Sequence, residues 1–156
     1  MNETAPRKKA LYGCLGILGL AVVFTCLGGF GIFWAINRAL TDFEYHCDKM
    51  VLRSELEVID SNLLFSPGFD DVMWCRFRVE AESIDEIFDT DLVDTKEFTS
   101  LGYQLDIGGM EAEWWDPKEH TLIGGEVQTD SDKFLRVGYV KNDDGTITVY
   151  IYWFEI

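Results

Sequence analysis

From Ala10 to Ile36 the chain carries no charged residue. This run of 27 residues constrains the fold more than any other feature. As a helix at about 1.5 Å per residue it would reach about 40 Å, whereas a hydrocarbon core of about 30 Å needs only about 20 residues. A buried helix of that length without a charge is unusual in a soluble core. A cleaved signal peptide would have an apolar region of about 7–15 residues and a small-residue cleavage site. Here the run is longer, and Phe30, Phe33 and Trp34 occupy its end. A lipobox before Cys26 is disfavoured by Phe24, and Cys14 lies too near the start. The segment therefore reads as an uncleaved signal-anchor, with a transmembrane helix expected over residues 10–37.

The flanks set its orientation. Arg7, Lys8 and Lys9 crowd the N-terminal side, which the positive-inside rule places in the cytoplasm. Arg38 opposes this weakly, and Tyr12 and Trp34 stand near the two ends as interfacial aromatics do. Small residues recur four apart in two lines, Ala21, Thr25 and Gly29, then Gly31, Ala35 and Ala39. Such lines let helix backbones approach closely, so a homodimer through this helix is one reading of them; the other is the general frequency of glycine in membrane helices.

Charge divides the chain in two. Arg7, Lys8, Lys9 and Arg38 against Glu3 give residues 1–40 a charge of +3. Nine bases against 27 acids give the remaining 116 residues −18, and the whole chain −15. A field of that sign repels nucleic acid and anionic headgroups. It suits a basic protein partner or cations, and it also keeps a surface solvated.

The expected organisation is a cytoplasmic basic tail (1–9), the transmembrane helix (10–37), a juxtamembrane helix (38–57) and an acidic domain (58–156). Leu40, Phe43, Cys47, Met50 and Val51 follow a 3.6-residue period, which predicts the second helix. Ser66-Pro67-Gly68 is a turn signal. Val72 to Val79 alternates, with Met73, Cys75, Phe77 and Val79 facing one side and Trp74, Arg76 and Arg78 the other. Ser83 to Glu86 has the capping-box spacing of a helix start. Thr95 to Leu101 predicts a helical turn closed by Gly102, and Tyr103, Leu105 and Ile107 a short strand. Asp116-Pro117 marks a turn or helix start. Phe134–Lys141 and Thr146–Glu155, joined across Asn142-Asp143-Asp144-Gly145, predict a hairpin. The last strand is apolar on both faces towards its end, as a central strand is. The fold class expected is α+β: the N-terminal transmembrane helix, then a small domain with an antiparallel sheet of about four or five strands and one to three helices.

Candidate chemistry is sparse. Cys47 and Cys75 fall on inward-facing positions and would meet in the core. Two arrangements fit them: a disulfide closing a loop of about 28 residues, worth about 3 kcal/mol, or two buried thiols. The only histidines are His46 and His120, with no spacing for zinc. The acidic run Asp89, Asp91, Asp94 and Glu97 lacks the glycine that an EF-hand loop needs at its sixth position, where Asp94 stands. No nucleophile elbow or phosphate loop occurs. No catalytic residue, metal or cofactor is therefore expected. Trp114 and Trp115, with Tyr150, Tyr152, Trp153 and Phe154, are candidates for a peptide or glycan groove, or for the core of a small sheet.

The order of Asp70-Asp71-Val72-Met73-Trp74-Cys75-Arg76-Phe77, then Trp114-Trp115-Asp116-Pro117, then the hairpin from Tyr139 to Tyr152 resembles small bacterial single-pass membrane-anchored proteins. The resemblance covers most of the outer domain with loose motifs. It implies a bacterial envelope origin and no particular activity; Cys75 departs from the group. The expectation is a non-enzymatic protein of the bacterial inner membrane, N-terminus cytoplasmic, presenting an acidic domain to a protein partner, with an immunity or inhibitor protein as one concrete form. The alternatives are a small-ligand module built on Trp114 and Trp115, and, third, an enzyme.

Overall fold

The computed structural model describes residues 25–68, 70–105 and 112–156. They belong to two compact units, one ending at Arg38 and the other spanning Ala39–Ile156. The chain is helical from residue 25 to residue 41 (α1). In the first unit Leu27, Phe30, Ile32, Phe33, Trp34 and Ile36 are all more than half exposed, and the Arg38 guanidinium lies 5.7 Å from the centre of the Trp34 ring, one helical turn back.

The transmembrane helix expected over 10–37 is corrected here. No helix among the described residues is long and apolar enough to cross a membrane. The described part of α1 holds 17 residues, about 26 Å at about 1.5 Å each, and Asn37 and Arg38 occupy its last turns. Arg7, Lys8, Lys9 and Ala21 lie outside the described residues.

The helix α2, Phe43–Met50, follows a break at Asp42, whose carboxylate accepts from the backbone N–H groups of Glu44 (3.1 Å) and Tyr45 (3.4 Å). That is the work of an N-cap, satisfying amides that have no partner within the helix. His46 is buried and donates through Nε2 to the Ala39 carbonyl at 2.6 Å, so a side chain of α2 satisfies a carbonyl at the end of α1. The second helix expected to residue 57 stops at Met50. Val51 is left-handed (φ 55), the Asp89 N–H donates to the Val51 carbonyl (3.0 Å) and the Arg53 N–H to the Ile87 carbonyl (3.0 Å). Pairing with residues 87–89 takes the backbone groups that a continuing helix would need.

The rest is a single antiparallel sheet of six strands, not the four or five expected: β1 Val58–Ser66, β2 Val72–Glu80, β3 Thr99–Tyr103, β4 Leu122–Asp130, β5 Lys133–Lys141 and β6 Thr146–Glu155. Their order across the sheet is β1-β2-β6-β5-β4-β3. β6 is central, as its two apolar faces imply. Each miss has a local cause. β1 carries Asp60, Ser61 and Asn62 in its middle, and β4 carries Gly124-Gly125; neither shows the alternation of a half-buried strand. β3 occupies part of the segment expected as a helical turn. Its predecessor Thr95–Glu97 is a single 3-10 turn, capped by the Asp94 carboxylate. Ser83 makes no capping bond; the Glu86 carboxylate instead accepts from the Glu82 N–H at 3.0 Å.

One face of the sheet makes the main core. Met73, Cys75, Phe77 and Val79 of β2 pair with Trp153, Ile151, Val149 and Ile147 of β6, all buried. Ile87, Phe88, Val93 and Met50 cover them. Each such side chain contributes about 1.5–3 kcal/mol of transfer free energy. The hairpin turn between β5 and β6 closes with Gly145 N–H on the Asn142 carbonyl (3.1 Å) and Asn142 N–H on the Thr146 carbonyl (2.9 Å). Gly145 has φ +86, the left-handed position that a three-residue hairpin loop reserves for glycine.

Candidate functional site

Two regions of the Ala39–Ile156 unit bring unusual side chains together. The first is a cleft of about 740 Å³ between α2 and the start of β1. It exists because the chain reverses at Val51 and runs across residues 87–89 before entering the sheet. Phe43, Leu52, Leu56 and Val58 supply its apolar lining, and the carboxylates of Asp42, Glu44, Asp48 and Asp60 stand against the single cation of Arg53. Arg53 is itself tied down, its Nε donating to the Phe88 carbonyl at 3.1 Å. Asp60 pairs with Arg78 of β2 at 2.9 Å.

Cys47 lines this cleft. Its thiol donates to the Phe43 carbonyl at 3.4 Å. Burial pushes the thiol up, and the carboxylates of Asp48, Glu44 and Asp42 push it further. Cys75 lies on the inner face of β2, fully buried, and burial followed by the charge of Cys47 raises it well above its ordinary value. Cys47 packs against the core cluster that holds Cys75, and both are free thiols. Both are held protonated, the opposite of an activated nucleophile.

The second region is the other face of the sheet. Trp115 packs edge-on against Tyr150 (5.7 Å between centres), and Trp114 edge-on against Trp115 (5.9 Å). Both tryptophans are half-buried. Tyr150 is fully buried, and its hydroxyl donates to Asp116 Oδ1 at 2.7 Å. Arg76 and His120 approach the same carboxylate at 3.8 and 3.9 Å. Burial pushes the Tyr150 hydroxyl far up; the Asp116 bond and charge add to this and Arg76 opposes it. Tyr150 is therefore a fixed donor that holds residues 112–120 across the sheet, and Trp115 belongs to that small second core.

Further along the same face an aromatic row lies half exposed. Trp74 faces Tyr152 at 5.7 Å, Tyr152 stacks on Phe154 at 5.2 Å, and Phe154 on Phe134 at 5.2 Å. The Arg136 guanidinium lies 5.1 Å over Phe154 and pairs with Glu126. The aromatics of β6 are therefore split: Tyr150 and Trp153 are buried, while Tyr152 and Phe154 join Trp74. The alternation of β2 put Trp74 on this side, but only the pairing of β2 with β6 makes the row.

Among the described residues no three His, Cys, Asp or Glu side chains converge as metal ligands. Asp89 and Asp94 each spend a carboxylate oxygen on a backbone N–H two residues on, which is local turn chemistry. Thr25 and Gly29 lie exposed on α1. Comparison with family models, curated proteins and solved structures gives no match.

Proposed function

We propose that the Ala39–Ile156 unit is a non-enzymatic binding domain for a basic protein partner, held at a bacterial cell membrane by the uncharged N-terminal run. The charge carries the partner reading: −18 on the 116 residues from Thr41 onward, with Glu44, Asp48, Glu55, Glu57 and Asp60 exposed around α2 and β1. Such a surface steers and selects cationic partners. An immunity or inhibitor protein acting on a cationic toxin is one form of it. The membrane placement rests on the sequence from Ala10 to Ile36 and the Arg7-Lys8-Lys9 flank, and the exposed apolar side chains of α1 are consistent with apolar surroundings. Pull-downs from membranes at rising salt test the partner reading. Captured cationic protein should fall steeply as the screening length shrinks from about 30 Å at 0.01 M to about 8 Å at 0.15 M, and salt-insensitive capture would sink it. Carbonate-washed membranes should retain the chain; recovery in the wash would end the membrane placement.

A second reading, a small-ligand module, is favoured by the continuous stacking of half-buried Trp74, Tyr152, Phe154 and Phe134, in addition to Trp114 and Trp115. Quenching or blue-shift of tryptophan emission on titration with peptides or oligosaccharides, lost in Trp74→Ala, would support it.

A further inference from the structure

The geometry points to the cleft between α2 and β1 as the docking site of an extended, basic peptide segment of the partner, added as a strand along the free edge of β1. This rests on the partner reading above and names its site and the form of its ligand.

β1 is the outermost strand, hydrogen-bonded to β2 alone. Among the described residues no strand pairs with its other edge. Free edges are templates for a further strand, and proteins blunt them with lysine, proline or a bulge. β1 contains neither lysine nor proline. Its one such device is the irregularity between Val58 and Asp60 at its start, where Ile59 is 46% exposed; from Ser61 to Ser66 it runs in regular register with β2. The charge beside the edge is acidic instead, through Glu55 and Glu57 just before the strand, while Asp60 within it is paired with Arg78. That choice discriminates. A second copy of this chain would bring like charges opposite one another, which destabilises a strand pair, whereas a basic strand would find carboxylates.

The cleft beside this edge fits the same ligand. In a strand, side chains alternate between two sides. Apolar residues of the incoming segment would enter the lining of Phe43, Leu52 and Leu56. Its lysines or arginines would meet Glu44 and Asp48, exposed at the rim of that lining, Asp60 being already paired with Arg78. Main-chain bonds to the edge supply affinity, and the alternate pockets supply specificity, the usual division in strand addition.

The test uses the full chain in uncharged detergent and a defined probe: a capped peptide of alternating lysine and valine, as long as β1. Two comparison peptides carry backbone N-methyl groups at alternate residues, or glutamate in place of lysine. Binding is read by fluorescence anisotropy and by backbone amide shifts. The lysine–valine peptide should bind saturably and shift amides of β1 and α2. N-methylation, which keeps charge and side chains but removes strand-pairing donors, should weaken binding about tenfold or more. The glutamate peptide should not bind. Glu44→Gln with Asp48→Asn, both on the exposed side of α2, should weaken it about tenfold, and Ile59→Pro on the edge should do likewise. Equal affinity for the N-methylated peptide, or shifts confined to other strands, overturns the docking site while leaving the basic-partner reading intact. No binding of the lysine–valine peptide, together with no cationic protein captured from membranes, overturns both.

Discussion

Tyr150 shows how one side chain can be fully determined by its surroundings. Its hydroxyl donates at 2.7 Å to Asp116, and burial raises its pKa far above the usual value. The folded state therefore keeps a proton that the unfolded state loses near its ordinary value of about 10. Stability from this group is present below about pH 10 and is lost as pH rises beyond it. Tyr150→Phe should cost about 1–2 kcal/mol near pH 7 and should show a shallower alkaline decline than the parent. Urea unfolding at about pH 7 and about pH 11 measures both; parallel pH curves would show that the Asp116 bond does not matter. Tyr103, Tyr139 and Tyr152 are also raised by burial, so only the difference between the two proteins isolates Tyr150. His46 is a second case. It bonds the Ala39 carbonyl at 2.6 Å and lies 4.7 Å from the Phe65 ring. His46→Ala should cost about 2–4 kcal/mol through the lost bond and the cavity, measured by chemical denaturation. A loss below about 0.5 kcal/mol would mean that the site collapses freely.

At the scale of elements, the β4–β5 pair depends on close approach. Gly124 faces Gly138 directly across the ladder. A side chain at Gly124 would overlap the Val137 carbonyl and come within 2.6 Å of the Tyr103 ring and 2.9 Å of the Gly138 Cα. The obstruction is mostly backbone, which cannot swing away. Gly124→Ala should therefore destabilise by about 1–3 kcal/mol or more and free the β3 edge, visible as faster amide exchange at residues 99–103. Unchanged exchange there would contradict the packing of Tyr103 on this glycine. Gly124 and its neighbour Gly125 hid β4 in the sequence, since a strand that gives up side chains to a close neighbour also gives up its alternation.

For the whole molecule, charge sets the behaviour. A net −15 favours solubility and opposes compaction through self-repulsion. Added sodium chloride, which shortens the screening length from about 30 Å at 0.01 M to about 3 Å at 1 M, should raise the melting temperature by a few degrees. Scanning calorimetry across that range checks this, and a falling melting temperature would show that attractive ion pairs such as Arg78–Asp60 (2.9 Å) outweigh repulsion. The same field that costs stability is the one on which the proposed basic partner would be selected.

Local order alone determined much of this chain. The alternation of Val72–Val79, the Asp-Gly turn and the two apolar faces of Thr146–Glu155 specify β2, the last hairpin and a central β6, because side-chain period and turn chemistry act over a few residues. The charge division between residues 1–40 and the remainder is likewise written in composition. Strand number was not legible: β1 is broken by Asp60, Ser61 and Asn62 where it runs largely exposed at the edge, β4 is glycine-rich because β5 and Tyr103 press on it, and both causes lie in other segments. Where the second helix stops was set by bonds from Val51 and Arg53 to residues 87–89. The candidate sites depended on the same level. Cys47 reaches the core that holds Cys75 only through α2 lying on the sheet, and Trp74 joins Tyr152 and Phe154 only through the register of β2 on β6. The uncharged run from Ala10 to Ile36, the most constraining feature of the sequence, is a matter of composition alone. The acidic cleft beside β1 is a property of tertiary structure, since it is made by α2 and by a strand that, among the described residues, pairs with β2 alone.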